Sequence, residues 1–319
     1  MADRVREPEV SVLIPCYNAG RYIGETLESV FRQTWPNVEI VVVNDGSSDN
    51  SSDVIRRFRA ANLTLVEQSN RGQTAALNAC LAHAHGSYVQ YLDADDLIGP
   101  DKIERQLTRL IGHPRAVASA EWGRFHLEPE NTRFEPETVW RDLDPLEWLV
   151  QSLADGLGMM LPALWMIPME IVRAVGPWNE SLSLNNDAEY FTRVLLAADQ
   201  VLFCAGARCY YRSGINGNLS GQKTAKAWAS QLRVLELCEA YLRAREDSDR
   251  VRRCFALAWQ HLAHSSYPYD CAIAEKAVAC ARRLHSVRIK PDGGGAFKIA
   301  SRLVGWRIAR RLQAASGRP

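Results

Sequence analysis

Two runs of aliphatic residues, VSVLI at 10–14 and VEIVVV at 38–43, are almost unbroken and rich in Val and Ile. A strand with one wet face alternates apolar and polar residues. A continuous run belongs to a strand covered on both faces. Between the two, Ile23, Leu27, Val30 and Phe31 recur at i, i+4, i+7 and i+8, one side of an amphipathic helix. The order then repeats. Val54, Ile55 and Phe58 mark a second helix, 63–66 a third strand, 72–85 an Ala-rich helix and 87–92 a fourth strand. Strict alternation of strand and helix predicts the α/β class, with a mostly parallel central sheet covered by helices.

The rest of the chain is less regular. Trp122, Trp140, Trp148, Trp165 and Trp178 are spread through Pro-containing stretches that read as mixed sheet edge and loop, with a helix at 188–198. From 221 to about 284 the pattern is helical. The PDGGG run at 291–295 breaks it, and a last basic helix is expected at 297–312. No internal repeat or low-complexity tract is expected. A hydrophobic fraction of 47% with 24% charged residues excludes disorder, collagen and coiled coil.

Charge is unevenly placed. The formal net charge is +1, yet residues 282–319 hold ten Lys or Arg against one acid. The tail is therefore +9 and the body −8. The eight cysteines show no CxxC pair and no zinc spacing, which suits a reducing compartment. Residues 1–9 are charged and lack the apolar core of a signal peptide. The longest uncharged run, 156–169, is 14 residues and holds two prolines, short of the roughly 20 a spanning helix needs. These features lead to the expectation of a cytoplasmic, non-spanning protein.

Asp93-Ala94-Asp95-Asp96 follows directly on the fourth strand. Three carboxylates there repel one another unless a cation or hydrogen-bond donors compensate. Ligands of open α/β sheets bind at the carboxyl ends of strands. A hard divalent ion held by one or two carboxylates plus substrate phosphates is the usual resolution. The plainer reading, a helix N-cap, accounts for one of the three. Asn44-Asp45-Gly46-Ser47-Ser48-Asp49 closes the second strand and by itself is an ordinary Asp-Gly turn. Pro15-Cys16-Tyr17-Asn18 closes the first. Parallel strands bring all three loops to one rim, so a pocket is expected there.

Three stretches, VSVLIPCYNAGRYIGETLESVFRQTWPNVEIVVVNDGSSDNS, NRGQTAALNACLAHAHGSYVQYLDADD and GPWNESLSLNNDAEYFTRVLL, together resemble the family 2 glycosyltransferases over roughly residues 9–200. The resemblance implies the GT-A type nucleotide-binding fold, with a catalytic domain at 1–220 and a helical C-terminal region at 221–319. The nucleotide-binding half would be about 9–116 and the acceptor half about 117–220. It implies an inverting, hexosyltransferase-like enzyme of polysaccharide biosynthesis that uses a nucleotide-sugar donor and Mn2+ or Mg2+. The acceptor would be a carbohydrate or a lipid-linked saccharide, and no nucleic-acid partner is implied. By residue, Pro15 and Tyr17 would border the nucleobase, and Asp45 would accept from a pyrimidine N–H, which favours UDP. Asn70 and Gly72 would shape the adjoining loop. Asp93 would contact the ribose or diphosphate region, Asp95 would ligate the metal and Asp187 would be the general base. Arg193 lies in the same helix as a support.

Two departures stand out. Asn186 occupies the place of a customary Glu, which removes a charge beside Asp187. Leu77-Asn78 stands where many members have Arg-Asn. Two other readings remain open: a sugar nucleotidyltransferase, against which PCYNAGRY lacks a basic glycine-rich phosphate loop, and a non-catalytic nucleotide- or carbohydrate-binding module, which has no need for both Asp95 and Asp187. His83, His85, His261 and His264 are read as ordinary solvated or packed histidines. Met159, Met160, Trp165, Met166 and Met169 are read as core that could border the acceptor. The basic tail is expected either to dock on the body or to make peripheral contact with the inner membrane surface.

Overall fold

The computed structural model describes residues 9–154, 159–214, 224–285 and 295–315. The chain falls into two compact units, 1–148 with 160–216, and 149–159 with 217–319.

The first unit begins β1 (Val10–Cys16), α1 (Ile23–Phe31), β2 (Val38–Asp45), α2 (Ser51–Arg56), β3 (Leu63–Gln68), α3 (Gln73–Ala82) and β4 (Tyr88–Tyr91). It continues with β5 (Leu97–Ile98), α4 (Lys102–Leu110), β6 (Ala116–Phe125) and α5 (Pro145–Ala154), in which the division between units falls. β7 (Ile167–Pro168), α6 (Met169–Val175), α7 (Asn186–Ala197) and β8 (Gln200–Arg212) complete it. Five strands lie in the order β3-β2-β1-β4-β7. The first three pairings are parallel and β4–β7 is antiparallel. Val12, Leu13, Ile14, Val42 and Val43 are fully buried, as unbroken aliphatic runs require. Each such side chain contributes about 1.5–3 kcal/mol by leaving water. The register sets Cys16 opposite Asn44, and Asn44 opposite Glu67. The loops after β1 and β2 therefore leave the sheet side by side.

β6 and the 13-residue β8 run parallel, with a shift between Ala120 and Glu121, and β5 flanks β8. The sequence pattern gave these strands only as irregular sheet edge. AVASAEWGRF and QVLFCAGARCYYR carry small residues where β-branched ones would mark a strand, and pairing overrides that weak propensity. The two sheets are joined by a fully buried lysine. Lys102 Nζ donates to Gln90 Oε1, and to Gln106 Oε1 at 2.6 Å. Gln90 is bonded onward to Ala163 O, and Gln106 to Ala118 O and Leu164 O. Burial pushes the Lys102 ammonium below its usual range. Met160, Trp165, Met166 and Met169 are core. All eight cysteines lie among the described residues, and none is joined to another.

The second unit contains α8 (Ala225–Arg245), α9 (Asp249–Ser266), α10 (Cys271–Leu284), α11 (Gly295–Val304) and α12 (Trp306–Ala315). Thr224 caps α8 through Ala227 N, and Asp270 caps α10 through Ile273 N. The single tail helix expected at 297–312 is two helices. Gly305 sits between them at φ 80°, where an L side chain is rarely tolerated and an α-helix cannot continue. Among the described residues no helix is long and apolar enough to cross a membrane.

Candidate active site

The loops after β1 and β2 are laced together. Asn18 N donates to Ser47 Oγ at 2.9 Å, Ser48 N to Asn18 Oδ1 at 2.8 Å and Gly20 N to Asp49 Oδ2 at 2.9 Å. Pro15 is buried under this junction, while Tyr17 projects from it, 54% exposed. An exposed ring beside a polar rim is available to stack on a flat ligand.

Asp45, buried at the end of β2, is a structural hub. Its Oδ1 accepts from Gln68 Nε2 at 2.7 Å and Arg71 N at 2.8 Å, and its Oδ2 from Gly72 N at 2.8 Å. Three donors thereby fix the turn that carries exposed Asn70 and leads into α3 through Gly72. Gly46, at φ 71°, lets that turn close in, since a Cβ there would lie 2.7 Å from Asn70 N. Among the described residues Oδ2 accepts from Gly72 N alone, and a carboxylate oxygen has the capacity for a second donor.

After β4 the three aspartates take different partners. Asp96 is buried, and its Oδ1 accepts from Arg212 N at 2.8 Å. Asp93 Oδ1 accepts from Gln73 Nε2 at 3.1 Å. No side-chain donor among the described residues reaches the Asp95 carboxylate. Its backbone carbonyl accepts from Arg212 Nε at 2.8 Å, and Arg212 also pairs with Glu25 at 2.6 Å. Burial raises Asp93 to about 7, helped by the charges of Asp95 and Asp187. Burial likewise raises Asp95, and raises Asp96 well above the usual range with Asp95 and Asp93 adding to it. Arg212, at the end of β8, lies between the rings of Tyr22 and Phe125, 4.9 and 4.5 Å from their centroids. Nothing local in YYRSG marks this arginine for the aspartate loop.

Asp187 is the second residue of α7, whose first turn follows Asn185 in the left-handed conformation at φ 57°. Its Oδ1 accepts from Ala188 N at 2.8 Å, and burial pushes its carboxyl up to about 6. Asn186 Oδ1 accepts from Asp187 N at 2.8 Å, and Asn186 Nδ2 donates to Gln73 Oε1 at 3.2 Å. Gln73 therefore bridges Asp93 and the start of α7. An aromatic cluster braces the same junction: Tyr190 stacks on Trp178 at 3.9 Å, and its hydroxyl meets that of Tyr91 at 2.9 Å. Arg193 supports the segment before α7 by donating to Val175 O and Pro177 O. Asn78 pins Trp178 from both its main-chain polar groups. Gln73, Asn78 and Arg212 thus position elements of the candidate site, and the sequence offered no such role for them.

Among the described residues no three His, Cys, Asp or Glu side chains form a ready metal cage. The donor set nevertheless fits a hard divalent ion in one respect. Asp95 is a raised, partly buried carboxylate with no side-chain donor among the described residues, beside two other carboxyl groups whose ionisation burial also opposes. Substrate phosphate oxygens would have to complete the coordination.

The family model described as "Glycosyl transferase family 2" matches residues 11–176. A glycosyltransferase, GlyA, of Streptococcus pneumoniae is 34% identical over 122 residues, 38% of this chain and 18% of that protein. An uncharacterized glycosyltransferase of Rickettsia typhi is 28% identical over 206 residues, 61% of each chain. The chain therefore matches less than two thirds of the length of these relatives. Among solved structures, residues 1–349 of S. aureus TarS in complex with UDP-GlcNAc are similar at TM-score 0.63 and 16% identity, over 90% of this chain and 97% of that one. The mannosyltransferase PcManGT of Pyrobaculum calidifontis, in complex with GDP-Man and Mn2+, is similar at TM-score 0.57 and 20% identity, over 97% and 84%.

Proposed function

The chain belongs to glycosyl transferase family 2, and from that membership we propose that it moves a hexose from a UDP-sugar to an acceptor hydroxyl with inversion. The observation that carries the proposal is the pairing of two carboxylates of opposite duty across one rim. Asp95 lacks a side-chain donor of its own, while Asp187, raised to about 6, starts a helix tied to the same loop through Gln73. A base with a pKa just below neutrality is ionised at pH 7 yet basic enough to draw a proton from a hydroxyl in the transition state.

In this reading Tyr17 stacks on the base, and Asp45 Oδ2 accepts from the uracil N–H as its second donor. Asn70 and Gly72 line the nucleotide beside it, and Asp93 faces the ribose or diphosphate. Asp95 would hold Mn2+ or Mg2+ together with the diphosphate, and the bound ion would neutralise the charge growing on the leaving group. Asp187 accepts the acceptor's proton as its oxygen attacks the anomeric carbon from the face opposite the diphosphate. The reaction is one displacement, so the anomeric centre inverts. Two structural neighbours were solved in complex with UDP-GlcNAc and with GDP-Man and Mn2+, which supports a nucleotide-sugar donor and a divalent ion. The catalytic work would lie within 1–220, with 221–319 as a helical appendage. A carbohydrate or lipid-linked saccharide acceptor agrees with a protein that works at the cytoplasmic side of the inner membrane.

Incubation with a panel of nucleotide sugars, with and without Mn2+, tests the proposal. Slow, metal-dependent release of UDP from one or more UDP-sugars is expected. Release of pyrophosphate from UTP and a sugar phosphate, or no turnover with any donor, would overturn it.

A further inference from the structure

Residues 297–303 and 306–312 are two versions of one short unit, FKIASRL and WRIARRL, with Gly305 between them. The absence of repeats expected from the sequence fails at this one place. The structure gives the repeat a physical meaning. In each copy the leading aromatic turns inward: Phe297 is buried, and Trp306 meets the rings of His264 at 4.6 Å and Tyr267 at 5.4 Å. Ala309 is buried as well.

The other side of each copy presents an aliphatic pair four residues apart, Ile299 with Leu303 and Ile308 with Leu312. Their exposures are 61, 80, 51 and 60%. Immediately before each aliphatic stands an exposed cation: Lys298, Arg302, Arg307 and Arg311. None of these four pairs with a carboxylate among the described residues. Arg307 and Arg311 rest over the Tyr267 ring, at 5.8 and 5.5 Å, and stay in water. Four large aliphatics in repeating register with four cations are not needed to hold α11 and α12, because the inward face does that.

We propose that this face of α11 and α12 seats on an anionic lipid surface. Ile299, Leu303, Ile308 and Leu312 enter the boundary between headgroups and acyl chains, and the four cations engage lipid phosphates. Charge complementarity selects this occupant. A second copy pairing face to face would set cations against cations, whereas a lipid bilayer offers negative charge and apolar depth within the same few ångströms. The inward side of α12 packs within the second unit, through Trp306 against His264 and Tyr267, and the outward side is the one assigned to the membrane.

Co-sedimentation of the full chain with vesicles tests this independently of any transferase activity. Neutral phosphatidylcholine vesicles are compared with vesicles containing about one third phosphatidylglycerol, at low salt and at about 0.5 M NaCl. Recovery is expected only with anionic vesicles at low salt. Lys298→Gln with Arg302→Gln should weaken it roughly 30-fold. Leu303→Ser with Ile308→Ser should weaken it at least about tenfold without lowering Tm, since both side chains are in water. No recovery, equal recovery on neutral vesicles, or an unchanged affinity of the Leu303→Ser/Ile308→Ser protein would overturn the proposal. So would a concentration-dependent dimer that this double substitution abolishes, which would assign the face to a second copy.

Discussion

Asn186 donates its side-chain amide to Gln73 at 3.2 Å, and through that contact the helix bearing Asp187 is fixed to the loop bearing Asp93. A neutral amide thus stands where the family resemblance implies a glutamate. With Asn186 in place, Gln73 keeps its own amide hydrogens directed at Asp93 while its oxygen is satisfied. The consequence is positional: one bridging side chain holds Asp93 and the start of the helix bearing Asp187 in a fixed arrangement.

Asp187→Asn should lower kcat by roughly 10²–10⁴ and leave UDP-sugar affinity nearly intact, because the amide cannot accept a proton. The same substitution should stabilise the free protein. The folded carboxyl titrates near 6, above its value in the unfolded chain, so ionising it costs the fold stability. That cost is absent below about pH 4, grows as the pH rises to about 6 and is complete above it. Denaturant titration at pH 8 should find Asp187→Asn more stable by roughly 1–3 kcal/mol, and at pH 4 no more stable than the parent. Unchanged turnover with saturating substrates would remove Asp187 from the mechanism.

The pH dependence of kcat should have an acid limb near 6, falling about tenfold per unit below it, since only the ionised carboxylate is a base. Asn186→Asp should move that limb to higher pH. A second negative charge beside Asp187 disfavours its ionised form. A limb that stayed in place would mean that another group controls the profile.

Gln73→Leu removes both ends of the bridge with little change in volume. The expected result is a fall in kcat of roughly tenfold with donor KM within about twofold, the signature of a displaced reacting group. A loss confined to KM would instead place Gln73 in donor binding.

How much of this was legible depends on range. β1 and β2 could be read from their Val and Ile runs, and the DADD loop from three charges in four residues, because each signal lies within one short segment. The Gln73–Asn186 contact spans 113 residues and the Arg212–Asp95 contact 117, and nothing beside Gln73 or Arg212 in the sequence announces the distant partner. Asp45 was legible as a candidate site residue. Its hold on Gln68, Arg71 and Gly72 was not, because an Asp-Gly turn looks the same whether or not a second loop is folded over it.

Asp45→Asn tests that hold. Whichever oxygen becomes an amide nitrogen, it faces an N–H donor, either Gly72 N or the Gln68 and Arg71 pair. A buried clash of donors should cost about 1–3 kcal/mol in stability, and UDP affinity should fall with the loosened turn. Equal urea midpoints for parent and variant would refute it.

Asp95→Asn should keep the fold but abolish the strengthening of UDP binding by Mn2+, because a neutral amide does not offset the charge of the ion. Calorimetric titration with and without Mn2+ decides this, and an undiminished metal effect would reassign the ligand.

The clamp on the aspartate loop comes from the last residue of β8. Arg212 reaches back to Asp95 O, to the Asp96 carboxylate and to Glu25, from beyond β6, α6 and α7. A segment cut after residue 116 would carry the loops after β1, β2 and β4 yet leave Asp96 without its donor. Gene fusions or recombination events that preserve the carboxylate arrangement must therefore carry β8 together with the rim loops, and the rim cannot be transplanted by itself.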